Sequence, residues 1–162
     1  MNSKLWILVP IVVPVAGALI VFSAAPSLHA EAEAAASSAQ QAAPKPVEDD
    51  MHEFMEYVFQ PTYLRLKASM AAAPADNAGW KAVKADALVL AEGGNLLLLR
   101  KPEEDAAAWN ATSAAVRELG SMLYQAAKQK DYPNARKHYE AMLLKCNRCH
   151  DKFAGGEHQL AP

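Results

Sequence analysis

From Asp49 onward, apolar residues recur every three or four positions, and no stretch alternates with the two-residue period of a strand. That period commits most of the 162-residue chain to helix. A helix that is apolar along one stripe must bury it against a neighbour, so a succession of such helices predicts a bundle.

Four segments carry the pattern. The first opens at Asp50, with Glu53 three residues on in the manner of a capping box. Its stripe is Met51, Met55, Val58, Phe59, Thr62, Leu66 and Met70, and it ends before Pro74. Pro61 lies inside it and is expected to kink the helix, because proline removes one backbone donor and clashes with the preceding turn. The second segment starts at Asp76 and places Trp80, Val83, Ala87, Leu90, Leu97 and Leu98 on one face. Gly93-Gly94 costs it roughly 1 kcal/mol per glycine relative to alanine, which predicts a distortion or a close helix approach.

The third segment opens on "PEED", with Pro102 at its start and three acids placed to suit the helix dipole. It continues through Trp109, Val116, Leu119, Leu123 and Ala127. The fourth starts at Asp131, with Pro133 in its first turn, and carries Ala135, Tyr139, Met142, Leu143, Cys146, Cys149 and Phe153 before Gly155-Gly156 ends it. Four amphipathic helices joined by short loops predict an all-α antiparallel up-down-up-down four-helix bundle over residues 48–154, followed by a tail at 155–162.

The preceding residues are of a different kind. In residues 1–30, Lys4 is followed by an uncharged apolar run from Leu5 to Phe22 and then by small residues, which is the order of a secretory signal. Cleavage is expected after Ala30 or at the A-x-A site of Ala30, Glu31 and Ala32. The run is also nearly long enough to stay in place as a membrane anchor, so a membrane tether is the second reading. Residues 31–47 are rich in Ala, Ser, Gln and Pro, with Val47 the one large apolar side chain, and read as a flexible linker. A net charge of −2 lacks the basic surplus that phosphate backbones demand, which excludes nucleic acid as the expected partner.

The chain's two cysteines fall in "LLKCNRCHDKF", residues 143–153. Cys146, Cys149 and His150 are three and four residues apart, so they project from one side of the fourth helix and continue its apolar stripe. A redox C-x-x-C of the thioredoxin kind opens a helix after a strand, whereas this one lies deep in a helix with no strand upstream. A structural zinc site needs a fourth ligand that could come only from a distance, such as His52 or His158. Covalent attachment of c-type haem uses every residue of the cluster, because C-x-x-C-H supplies two thiols and an iron-binding imidazole.

A C-x-x-C-H on the last helix of a four-helix bundle, here within "KCNRCHDKF", resembles cytochrome c-prime and its low-spin class II relatives. The resemblance covers about residues 48–154. It implies one covalently bound haem c, a periplasmic location, redox partner proteins in that compartment and often a homodimer. By position, it implies that Cys146 and Cys149 form the thioethers and that His150 is the proximal ligand. The family's distal residue points at iron from the first helix, about five turns before the second. Counting back from Pro74 reaches Met55, with Met51 and His52 as alternatives.

Met70, Met122 and Met142 read as core filler, Trp80 and Trp109 as packing residues, and His158 as a solvated tail residue. A His-Met iron makes the expected function electron transfer. An open sixth position would instead make it a binder of small gases such as NO or CO. Enzymatic turnover is not expected, since His52 is the one acid-base group in view of a distal face.

Overall fold

The computed structural model describes residues 32–33 and 44–162. The signal or anchor expected over residues 1–30 lies outside the described residues, as does most of the 31–47 linker. Among the described residues there is no strand, and no helix is long and apolar enough to cross a membrane. Residues Pro44–Pro162 form one unit built from four helices, compatible with a four-helix bundle. Helix α1 runs from Met51–Phe54 through a π-helical Met55–Phe59 into Gln60–Met70; α2 is Asn77–Leu98, α3 Ala106–Lys128 and α4 Tyr132–Phe153.

Three of the four starts are capped by the expected aspartates. Asp50, Asp76 and Asp131 each accept from the backbone N–H three residues on, at Glu53, Gly79 and Asn134. The fourth start differs from expectation. "PEED" is not the first turn of α3; it forms the connection, and the helix begins after Asp105, whose φ of 56° is left-handed. Two tertiary contacts account for the delay. The Trp109 indole N–H donates to the Leu97 carbonyl at 2.8 Å, and Asp105 pairs with Lys152 at 2.9 Å. Together they fix where the chain must turn, and this outweighs the N-terminal preference of proline.

Pro61 acts through the π-helical stretch immediately before it. The Gln60 N–H reaches back five residues to the Met55 carbonyl, and the Thr62 hydroxyl donates to the Val58 carbonyl at 2.7 Å. The missing proline donor is therefore absorbed by a wider turn and a side chain, and α1 continues to Met70. Arg65 on α1 bonds the buried Asp86 of α2 at 2.7 and 3.0 Å, satisfying a carboxylate that burial would otherwise penalise.

The glycines of α2 mark close approach rather than distortion. A Cβ on Gly94 would lie 2.7 Å from the Arg117 backbone nitrogen, and one on Gly93 would lie 2.7 Å from the Phe59 ring. Gly120 of α3 meets the Ala91 backbone in the same way, at 3.0 Å. We expect Gly94→Ala to destabilise the protein by about 1–2 kcal/mol: overpacking against backbone costs roughly 1–3 kcal/mol, while helix propensity returns at most about 1. Urea unfolding measures this, and a neutral or stabilised variant would show that α2 and α3 can separate freely.

The core is in two parts. One cluster, including Leu66, Met70, Trp80, Val83, Leu90, Val116, Leu123, Tyr139 and Met142, fills the end of the bundle near the α1–α2 and α3–α4 connections. A smaller one, Phe54, Leu97, Trp109 and Cys149, lies toward the other end, flanked by Met51, Met55, Val58 and Phe153. Met122, expected in the core, is half exposed on α3, a position off the buried Trp109, Val116 and Leu123 line.

Candidate functional site

Between the two clusters is a cavity of about 400 Å³. Its apolar wall comes from both of them: Leu90, Val116, Met142 and Leu143 on one side, Met55, Leu97 and Cys149 on the other, with Phe59 touching each cluster. Cys146 and His150 also line it. Helical spacing on α4 thus brings the three residues of the C-x-x-C-H motif to one cavity, with Cys146 packed on the larger cluster and Cys149 inside the smaller. The volume falls in the range of sites that enclose small molecules and cofactors.

Both thiols are free, and both are held protonated. Burial pushes the Cys146 thiol up to about 12, with the neighbouring Cys149 adding to it. Burial also raises Cys149, against the opposing influence of the Thr112 hydroxyl. The thiolate is the form that attacks disulfides, so this setting is poor for redox exchange. Among the described residues, no three His, Cys, Asp or Glu side chains gather as a metal ligand set.

His150 has a defined partner. Its Nδ1 lies 2.9 Å from the His158 carbonyl, and because a carbonyl can only accept, the ring donates there. The proton on Nδ1 leaves Nε2 as the ring's ligating nitrogen. Ser113 of α3 is a fully buried polar member of the wall. Its hydroxyl is buried and has no protein partner, the mark of a place that expects an occupant or a water.

Of the three distal candidates, the fold brings two to the cavity. Met55, first residue of the π-helical stretch, lines it, and so does His52. His52 is mostly exposed, with Nε2 3.5 Å from a Glu56 carboxylate oxygen. Met51 packs on the smaller cluster and is not part of the wall. Trp80 and Trp109 are buried in the two clusters and stay off the wall, as packing residues would.

Among the contributors that the sequence leaves unmarked are Ser113, Tyr63, Asn147 and Leu160. Ser113 is read from sequence as an ordinary polar position on α3, and Tyr63 lies one residue off the α1 stripe. Asn147 is one of the two variable residues of the motif, and Leu160 is in the tail. The tail itself is built onto the site: Asn147 exchanges two hydrogen bonds with Leu160, at 2.9 and 2.8 Å, and Leu160 packs against the larger cluster. No protein-family model matches the chain, and a search of curated proteins finds no relative. The cavity with its two thiols and oriented imidazole therefore has to carry the functional reading.

Proposed function

We propose that this chain is an exported c-type cytochrome that carries electrons through one covalently bound haem. In this reading Cys146 and Cys149 hold the group, His150 is the proximal iron ligand, Met55 is the distal one, and the chain has no enzymatic turnover of its own. The single observation that carries it is the cavity dividing the core, with the whole C-x-x-C-H motif on its wall. The apolar volume, the protonated thiols and the Nδ1–H imidazole all fit a flat, largely apolar macrocycle.

When bound, haem c supplies a one-electron iron couple. The chain's own residues set its surroundings. Leu90, Leu97, Val116, Met142 and Leu143 exclude water and lower the local dielectric, while His150 is held in one tautomer by its bond to the His158 carbonyl. The apolar run from Leu5 to Phe22 supports export to the periplasm, cleaved or as a tether, where redox proteins would be the partners and a homodimer the assembly.

An antiparallel up-down-up-down order is part of the proposal, and cross-helix pairs support it. Positions rise on one helix as they fall on the next: Phe59 with Gly93 and Arg65 with Asp86, then Gly120 with Ala91 and Trp109 with Leu97, then Trp109 with Phe153. To test attachment, the chain is exported with a haem-attachment system, denatured and extracted with acidic organic solvent. Colour is expected to stay on the polypeptide. Colour in the solvent would refute covalent attachment.

A further inference from the structure

We propose that residues 155–162 are a strap that holds His150 in its ligating tautomer, and that Tyr63 and Asn147 are positioning residues that anchor it. The inference rests on the haem reading of the same site and adds an element to it. A proximal imidazole needs a fixed acceptor on Nδ1, which orients the ring and makes Nε2 a stronger donor to the metal. In this protein the acceptor comes from the backbone beyond the end of α4.

The geometry is specified at several points. Gly155 and Gly156, at φ 62° and 80°, reverse the chain, and the Gly156 N–H closes back on the His150 carbonyl at 3.0 Å. Gln159 bonds Asp151 at 2.9 Å. Asn147 takes both the N–H and the C=O of Leu160, and the Tyr63 hydroxyl takes both the N–H and the C=O of Ala161, at 3.2 and 2.7 Å. These two reciprocal pairs tie the segment to α4 and to α1. Between the Gly155-Gly156 turn and these pairs, His158 adopts a left-handed φ of 56°, a conformation that costs a non-glycine residue energy and persists when its surroundings impose it. The His158 ring is mostly exposed, and its carbonyl is the group that meets His150. The strain thus coincides with the one backbone carbonyl that the imidazole uses.

The test uses the exported full-length chain with its haem, compared with a form ending at Gly156 and with Asn147→Ala, Tyr63→Phe and His158→Ala. Three properties are read: solvent exchange of the His150 Nδ1 proton by nuclear magnetic resonance in the reduced state, the iron–histidine stretching frequency in a reduced Met55→Ala background that opens the sixth position, and the reduction potential. In the shortened form, exchange is expected to quicken by about fivefold, as for loss of a hydrogen bond of ordinary net strength. The stretching frequency falls and the potential rises, because an imidazole without its acceptor donates less to iron. Asn147→Ala and Tyr63→Phe move all three in the same directions by less, and they serve if the shortened chain folds poorly. His158→Ala keeps the carbonyl and is expected to move all three by less than the truncation does. Unchanged exchange, frequency and potential in the shortened form and in Asn147→Ala overturn the strap. If the unmutated chain carries no haem, the electron-carrier reading fails, and proton exchange at His150 in that chain decides the strap alone: slow exchange that the truncation abolishes supports it, and free exchange overturns it.

Discussion

Replacing both Cys146 and Cys149 by alanine is expected to leave the exported chain colourless and mostly unfolded. The two cysteines belong to different halves of a divided core, and the group they would hold spans the space between. Without it the bundle must keep a cavity of about 400 Å³ or collapse around it. At roughly 24 cal/mol per Å³, every 100 Å³ of that space that stays dry and unfilled forfeits about 2.4 kcal/mol, a large fraction of the stability of an ordinary domain. Water entering past the exposed Glu56 and Gln60 offsets part of that loss but wets the apolar walls of both clusters, which leaves little to hold the helices together. Far-ultraviolet circular dichroism during heating gives the measurement. A cooperative transition at the temperature of the unmutated protein would show that the cavity needs no occupant, and the functional reading would lose its main support.

The helices were legible because their caps and stripes are local. Asp50, Asp76 and Asp131 satisfy backbone donors three residues away, a relation written entirely within the sequence. The α3 start was not legible. It is set by Trp109 reaching Leu97 and by Asp105 reaching Lys152, contacts between segments that no local window contains. Pro102 carried a correct propensity that tertiary contacts overrode.

Phe54 shows a subtler failure. A uniform helical period from Thr62 back through α1 selects Met51 and Met55 and leaves Phe54 off the stripe. The π-helical stretch Met55–Phe59 makes a wider turn, which rotates everything before it relative to that count. Phe54 comes into line as the buried residue, while Met51 and Met55 lie at its margins. The cause, Pro61, was visible; the way the backbone would absorb it was not.

At the site, the motif named its three residues and spacing alone placed them on one face. What sequence could not supply was the other wall and the acceptor for His150. Ser113 looks like any serine until its hydroxyl is found without a partner. His158 reads correctly as a solvated ring, yet its contribution comes from a carbonyl that every residue has, turned into place by an unusual φ. Backbone groups leave no mark in a sequence, so a site that uses them is always partly hidden.

Met55→Ala is expected to convert the ferric haem protein from low-spin to high-spin and, once reduced, to open it to carbon monoxide. Met51→Ala and His52→Ala should leave both properties unchanged. The three residues sit within one turn of α1, but the fold separates them. Met51 packs against the smaller cluster and away from the wall. His52 reaches the wall from a mostly exposed position beside Glu56, so ligation inside the cavity would require it to leave water and that carboxylate. Met55 is already partly buried against the smaller cluster, and its thioether carries no charge or strong hydrogen bond to give up on entering an apolar site. It also begins the π-helical stretch, an insertion that turns a side chain away from the direction a regular helix would give it and is frequent at functional sites. A His150-Met55 pair raises the reduction potential, as suits a carrier. Absorption and electron paramagnetic resonance spectra of the three variants decide among the ligands. An unmutated protein that is already high-spin and binds carbon monoxide readily would remove Met55 from the iron and make gas binding the function, because the same cavity would then present an open coordination position where this reading places a thioether.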